Sequence, residues 1–166
     1  MRSKLAVILC VAIILVPGLA VAAHAPKPAS AKKFDAAATA ALAAMQKRAE
    51  ELKAGGVAVV SYAPGDTLTG WRSRMLVVGR MKDDPTATSR GNNLIGIAYA
   101  KSAEMADTLK DSGTSDRKPM TGEFGWQGGV VARGRTGILI VAFSGGKSED
   151  DVEISRAGMA VLKAAL

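Results

Sequence analysis

The hydrophobic positions of this chain change period along its length, and each change marks an element. Between Phe34 and Ala54, the residues Ala38, Leu42, Met45, Ala49 and Leu52 recur every three or four positions. Side chains at that spacing share one face of an α-helix, so an amphipathic helix is expected there. Gln46, Lys47, Glu50, Glu51 and Lys53 fall largely off the stripe; Asp35 stands at or near the N-cap, and Gly55-Gly56 stops the helix. Val57 to Ala63 then reads as a strand, and Pro64-Gly65-Asp66 as a turn. Leu68 to Met81 is expected to be a second strand or long hairpin arm, with Gly70 and Gly79 as bulges or bends. Lys82 to Gly91 is a polar loop.

The helical period returns from Asn92 to Lys110, with Ile95, Ala98, Ser102, Met105 and Leu109 on one face. Asp111 to Gln127 is a long Gly/Ser/Pro loop, of a length that is often functional or mobile. Gly128 to Arg133 reads as a third strand and Thr136 to Ser144 as a fourth, joined by a turn at Gly134-Arg135. Ile138 to Phe143 is unbroken apolar sequence, which requires burial on both faces and hence a central strand. A last helix follows Gly145-Gly146. Ser148 reads as its N-cap, Asp151 as the capping-box acid at N3, and Glu149, Asp150, Asp151 and Glu153 as complements to the helix dipole. The order α-β-β-α-β-β-α predicts an α/β (α+β) fold: a central antiparallel sheet of four to five strands with flanking helices.

The N-terminus follows a different rule. Arg2 and Lys4 precede a short apolar run, Leu5 to Val16, broken by Pro17-Gly18 and followed by small residues. This is the pattern of a secretory signal peptide over residues 1–22, with cleavage after Ala20-Val21-Ala22. The run is short for a membrane span, which takes about 20 residues. Residues 23–33, rich in Pro, Ala and Lys, are expected to be a flexible linker, and residues 34–166 the domain. A periplasmic or extracellular protein with no membrane span after cleavage is implied.

Export changes the chemical inventory. Cys10 is the only cysteine and would leave with the signal; the only histidine, His24, precedes the domain. A Ser-His-Asp triad, a Cys-His dyad and a His/Cys zinc site are therefore excluded within residues 34–166. No enzyme is indicated. Formal charge is +7, or +5 without Arg2 and Lys4, and the cations are scattered. Neither a basic recognition helix nor aromatic stacking residues among basic ones mark a nucleic-acid surface.

Local words in the domain carry a resemblance. Ser144-Gly145-Gly146-Lys147-Ser148-Glu149-Asp150-Asp151, followed by Ala157-Gly158-Met159-Ala160-Val161-Leu162, are similar to the strand, S-G-G, S-E-x-D and A-G-x-A-x-L pattern of the GlcG/HbpS family of small haem-binding proteins. The chain is also similar to the C-terminal domain of PduO-type proteins. Gly56-Val57-Ala58-Val59-Val60, Gly79-Arg80-Met81-Lys82-Asp83, Ala100-Lys101-Ser102-Ala103 and Gly128-Gly129-Val130-Val131 add weaker matches. The resemblance implies a homo-oligomeric protein binding haem or a related tetrapyrrole. Its departures are a longer second strand, Val131 in place of a usual proline, and the missing domain histidine.

On that reading Arg80, Lys101 and the amides of Ser144, Gly145 and Gly146 would take the ring's propionates, since a helix N-terminus favours anions. With no His or Cys in the domain, iron would need Met, Tyr or Lys, such as Met81, Tyr62 or Tyr99, or remain without a protein ligand. The same residues admit other roles: Gly145-Gly146 shaping a turn, Arg80 and Lys101 solvated, and Met45, Met105 and Met159 filling the core. Two alternatives stand beside the haem reading. One is an oligomeric envelope scaffold without a small ligand. The other is an iron binder built on the Glu149–Glu153 carboxylates, whose oxygens suit hard cations.

Overall fold

The structure, a computed structural model, describes residues 27–166. The expected signal peptide, Cys10 and His24 lie outside the described residues. The elements are α1 (Ala31–Glu51), β1 (Gly56–Pro64), β2 (Arg72–Val78), β3 (Lys82–Asp83), β4 (Asn92–Asn93), α2 (Leu94–Thr108), β5 (Gly129–Arg133), β6 (Gly137–Ser144) and α3 (Ser148–Ala165). Four strands form one antiparallel sheet in the order β2-β1-β6-β5, as the α-β-β-α-β-β-α order implies. No described helix is long and apolar enough to cross a membrane.

Strand alternation sorts the core into two layers. Ala58, Val60 and Tyr62 of β1 and Leu139, Val141 and Phe143 of β6 face α1 and α3. Val57 and Val59 face Leu94, Ile97 and Ala98 of α2, while Ala63, Ile138, Ile140 and Ala142 pack with Met105. The sheet is thus sandwiched between α1/α3 and α2. The unbroken apolar run of β6 is the strand buried on both sides, in the sheet's interior. Met45, Met105 and Met159 are all core.

Several boundaries differ from the sequence expectation. α1 starts at Ala31 because Ser30 caps it, its hydroxyl accepting from the Lys33 N–H. Asp35 is in the second turn and pairs with Arg74 instead of capping. Packing begins still earlier: Ala29 is buried and its N–H donates to the Tyr62 hydroxyl, so the expected linker is shorter than 23–33. β2 covers only Arg72 to Val78, since Gly79, at φ +73°, turns the chain out of the strand. The polar loop closes on itself as the two-residue ribbon β3-β4.

The buried face of α2 is wider than the expected one. Ala98, Ser102 and Met105 of the expected stripe are buried and Ile95 partly so, Leu94, Ile97 and Lys101 join them, and Leu109 leaves the helix in a left-handed conformation, exposed. The lysine on this face hides the stripe from a hydropathy reading. α3 begins at Ser148 with Lys147 in the cap position, so Ser148 is not the cap, and Asp151 lies one residue past N3.

Gly158 explains the small residues of α3. A Cβ there would stand 2.6 Å from Met45 Cγ and 3.2 Å from Val141 Cγ1, so α3 approaches α1 and the sheet as closely as a glycine permits. Gly158→Ala raises helix propensity by about 1 kcal/mol, but overpacking costs about 1–3 kcal/mol. The variant is expected to unfold at lower urea concentration than the parent; a higher midpoint would show spare room at this contact.

Candidate functional site

The N-terminal end of α2, the turn after β6 and the loop before β5 converge on one side of the sheet. At their junction Lys101 is buried. Its Nζ donates to the Phe143 carbonyl and to Asp151 Oδ2, both at 2.8 Å. Asp151 Oδ1 accepts from the Gly146 N–H at 2.8 Å. With side chains 3% and 5% exposed, the pair ties α2 to β6 and α3. Burial pushes the Lys101 ammonium below its ordinary value and the Asp151 carboxyl above its own; their mutual attraction opposes both shifts. Gly128 makes room for the pair, because a Cβ there would lie 2.2 Å from the ammonium nitrogen.

Arg80 forms a second clamp beside it. Its guanidinium donates to the carbonyls of Gly55 (2.6 Å) and Gly145 (2.7 Å) and to Asp83 Oδ1 (2.7 Å). It joins the two glycine turns, where Gly145 sits at φ +144° with only 2.3 Å between a would-be Cβ and the Gly55 carbonyl. Asp83 also accepts from the Asn92 amide at 2.9 Å, and this bond, with Arg80 second, holds its carboxyl below the usual range.

Three cavities meet at Asn92. One, of about 130 Å³, is lined by Lys101, Ser144, Gly145, Gly146, Gln127 and Trp126, among others. A second, of about 380 Å³, lies between Met81, Lys82, Pro85, Arg90 and Ile95. A third, of about 250 Å³, is bounded by Gly96, Ile97, Ala100 and Phe124. Trp126 lines the first and Phe124 the third; the two rings lie 4.9 Å apart, and are 48% and 46% exposed.

The loop that bears this pair is fastened at several points. Arg117 grips both oxygens of Glu123 at 2.7 Å and reaches Asp107 at 2.8 Å. Glu123 also accepts from the Met120 N–H, Glu104 from the Gly113 N–H and Asp111 from the Val131 N–H. The Arg117 bonds pull the Glu123 carboxyl down to about 2, and Glu123 in turn raises the Arg117 guanidinium above its ordinary value.

Of the residues singled out in the sequence, Lys101, Ser144, Gly145 and Gly146 share the smallest cavity, and Met81 lines the largest. Their roles differ from the expected ones. The Lys101 ammonium is neither solvated nor available to a propionate, since Asp151 and Phe143 hold it; Arg80 is engaged by two carbonyls and Asp83. The Gly146 amide is taken by Asp151. The Tyr62 hydroxyl is buried between Ala29 and Thr136, and that of Tyr99 bonds Ser73. The acidic cluster divides: Asp151 turns inward and Glu153 pairs with Arg48 at 2.5 Å. Among the described residues no group of three His, Cys, Asp or Glu side chains is placed to hold a metal ion. Phe124, Trp126, Asn92 and Arg90 were not marked by the sequence reading; two aromatics within three residues of a polar loop were the available signal.

No protein-family model matches the chain, and no curated protein matches it. Solved structures do. The chain has the fold of PduOC, solved as a complex with heme, at a TM-score of 0.52 and 16% identity, over 81% of this chain and 95% of that one. Protein ORFY of Klebsiella pneumoniae aligns at a TM-score of 0.48 and 20% identity, over 78% and 89% of the two chains. A double mutant of HbpS from Streptomyces reticuli aligns at 0.43 and 20%, over 93% and 99%. The resemblance read from sequence thus holds at the level of the fold.

Two outcomes test this site. Lys101→Met leaves the Asp151 carboxylate buried and unpartnered, and is expected to cost about 3–5 kcal/mol of stability. Adding Asp151→Leu should recover most of it, read by chemical denaturation; a double variant no more stable than the single one contradicts the pairing. Glu123 titrates at about 2 against an ordinary 4.5. A depressed carboxyl stabilises the loop fully above the unfolded value, and that contribution is lost as pH falls from 4.5 toward 2. Trp126 fluorescence in a Trp71→Phe background should shift over that interval, and a flat signal would contradict the clamp.

Proposed function

We propose that this chain is an exported, non-catalytic tetrapyrrole-binding protein. The observation that carries the reading is the Phe124–Trp126 pair, held half-exposed by the Arg117–Glu123 clamp beside cavities that meet at Asn92. Aromatic faces left open to solvent but rigidly placed suit a flat apolar ring. Arg90 and Lys82 line the adjoining cavity. Among the described residues Arg90 has no ion-pair partner, which suits it to a ring carboxylate. The fold shared with a protein solved with heme agrees with this choice of ligand. Export is supported by the basic, apolar and small-residue succession of residues 1–22.

An oligomeric scaffold is the second reading. Met75 and Val77, 37% and 40% exposed, stand on one face of the edge strand β2 and offer a surface to another copy. The two readings separate in a ring titration. Hemin added to the purified protein should give a saturable change in Soret absorbance. Phe124→Ala and Trp126→Ala should each weaken it about 3- to 10-fold, since an aromatic contact is worth about 0.5–1.5 kcal/mol. An unsaturable titration, or one indifferent to both substitutions, would favour the scaffold.

A further inference from the structure

We infer that the site reads the ring and carboxylates of its tetrapyrrole and not the metal, so that a metal-free porphyrin binds as well as haem. The inference rests on the tetrapyrrole reading above. Proteins hold haem iron through His, Cys, Met or Tyr. The described residues, 27–166, contain no histidine and no cysteine; His24, which cleavage after Ala22 retains, precedes them. The Tyr62 hydroxyl is buried and bonded on both sides, 2.9 Å from the Ala29 nitrogen and 3.0 Å from the Thr136 carbonyl. The Tyr99 hydroxyl bonds Ser73 on β2, and Tyr99 lines none of the three cavities. Lys101 would have to lose its proton and abandon Asp151, leaving a carboxylate buried without its partner.

The remaining donors are weak or engaged. Met81 is a half-exposed thioether on the rim of the 380 Å³ cavity, with no second soft ligand lining it. Asp83 is held by Arg80 and Asn92, and Asp84 by Lys82. Among the described residues this donor set does not fit axial ligation of iron. It fits a planar ring laid against the half-exposed Phe124 and Trp126, with Arg90 in the adjoining cavity. Affinity then comes from apolar burial and charge, which the metal at the ring centre leaves nearly unchanged.

The test titrates the purified protein and its His24→Ala variant with hemin, zinc protoporphyrin and metal-free protoporphyrin IX, following tryptophan quenching for all three. The expected dissociation constants agree within about threefold, and Met81→Ala changes all three by the same factor and leaves the bound-haem spectrum unchanged. The inference is overturned if hemin binds more than about tenfold tighter than the metal-free ring, or if Met81→Ala weakens hemin alone. Quenching by none of the three overturns the tetrapyrrole reading itself.

Discussion

A charged lysine on the buried face of α2 constrains everything around it. An ammonium removed from water survives only where acceptors surround it. The chain supplies Asp151 from the first turns of α3 and a carbonyl from the end of β6. To bring these within reach, β6 must end at Ser144, the chain must turn tightly through Gly145-Gly146, and Gly128 must present no side chain to the ammonium. The acid that engages Lys101 also caps the turn through the Gly146 amide. One ion pair therefore sets the depth of α2 on the sheet, the entry angle of α3 and the floor of the smallest cavity.

The clamp by Arg80 repeats this logic at the surface. A guanidinium spans two backbone turns, so cations read from sequence as ligand contacts serve instead to hold the walls. The proposed ligand-facing surface is correspondingly poor in uncommitted charge. What remains open is aromatic and apolar, with Arg90 beside it. A site of this kind selects by shape and burial, and its specificity comes from the few polar groups on its rim.

The strands and layers were legible in the sequence because alternation and continuous apolar runs report burial directly. β6 is the clearest case: six apolar residues in succession could only be central. The site was less legible for physical reasons. Lys101 reads as a solvated position, and only a distant acid, fifty residues on, makes it a core residue. The buried face of α2 extends past the expected stripe for the same cause, taking in Lys101 beside Ala98, Ser102 and Met105. Asp151 satisfied two local explanations, helix cap and dipole, and so concealed its long-range partner. Phe124 and Trp126 lie in a loop with no period, where orientation depends on Arg117 gripping Glu123 and Asp107. The haem-family words, by contrast, mark the glycine turn and the helix packing at Gly158, which belong to the fold more than to the ligand.

The central claim is that a tetrapyrrole lies against the loop aromatics at the N-terminal end of α2. Backbone amide shifts recorded by NMR during addition of protoporphyrin IX locate it directly. The account predicts that perturbations concentrate at Arg90 to Ile97 and at Met120 to Gln127, with Met75 and Val77 unmoved. Perturbations centred on β2, or absent from both segments at saturation, would contradict it.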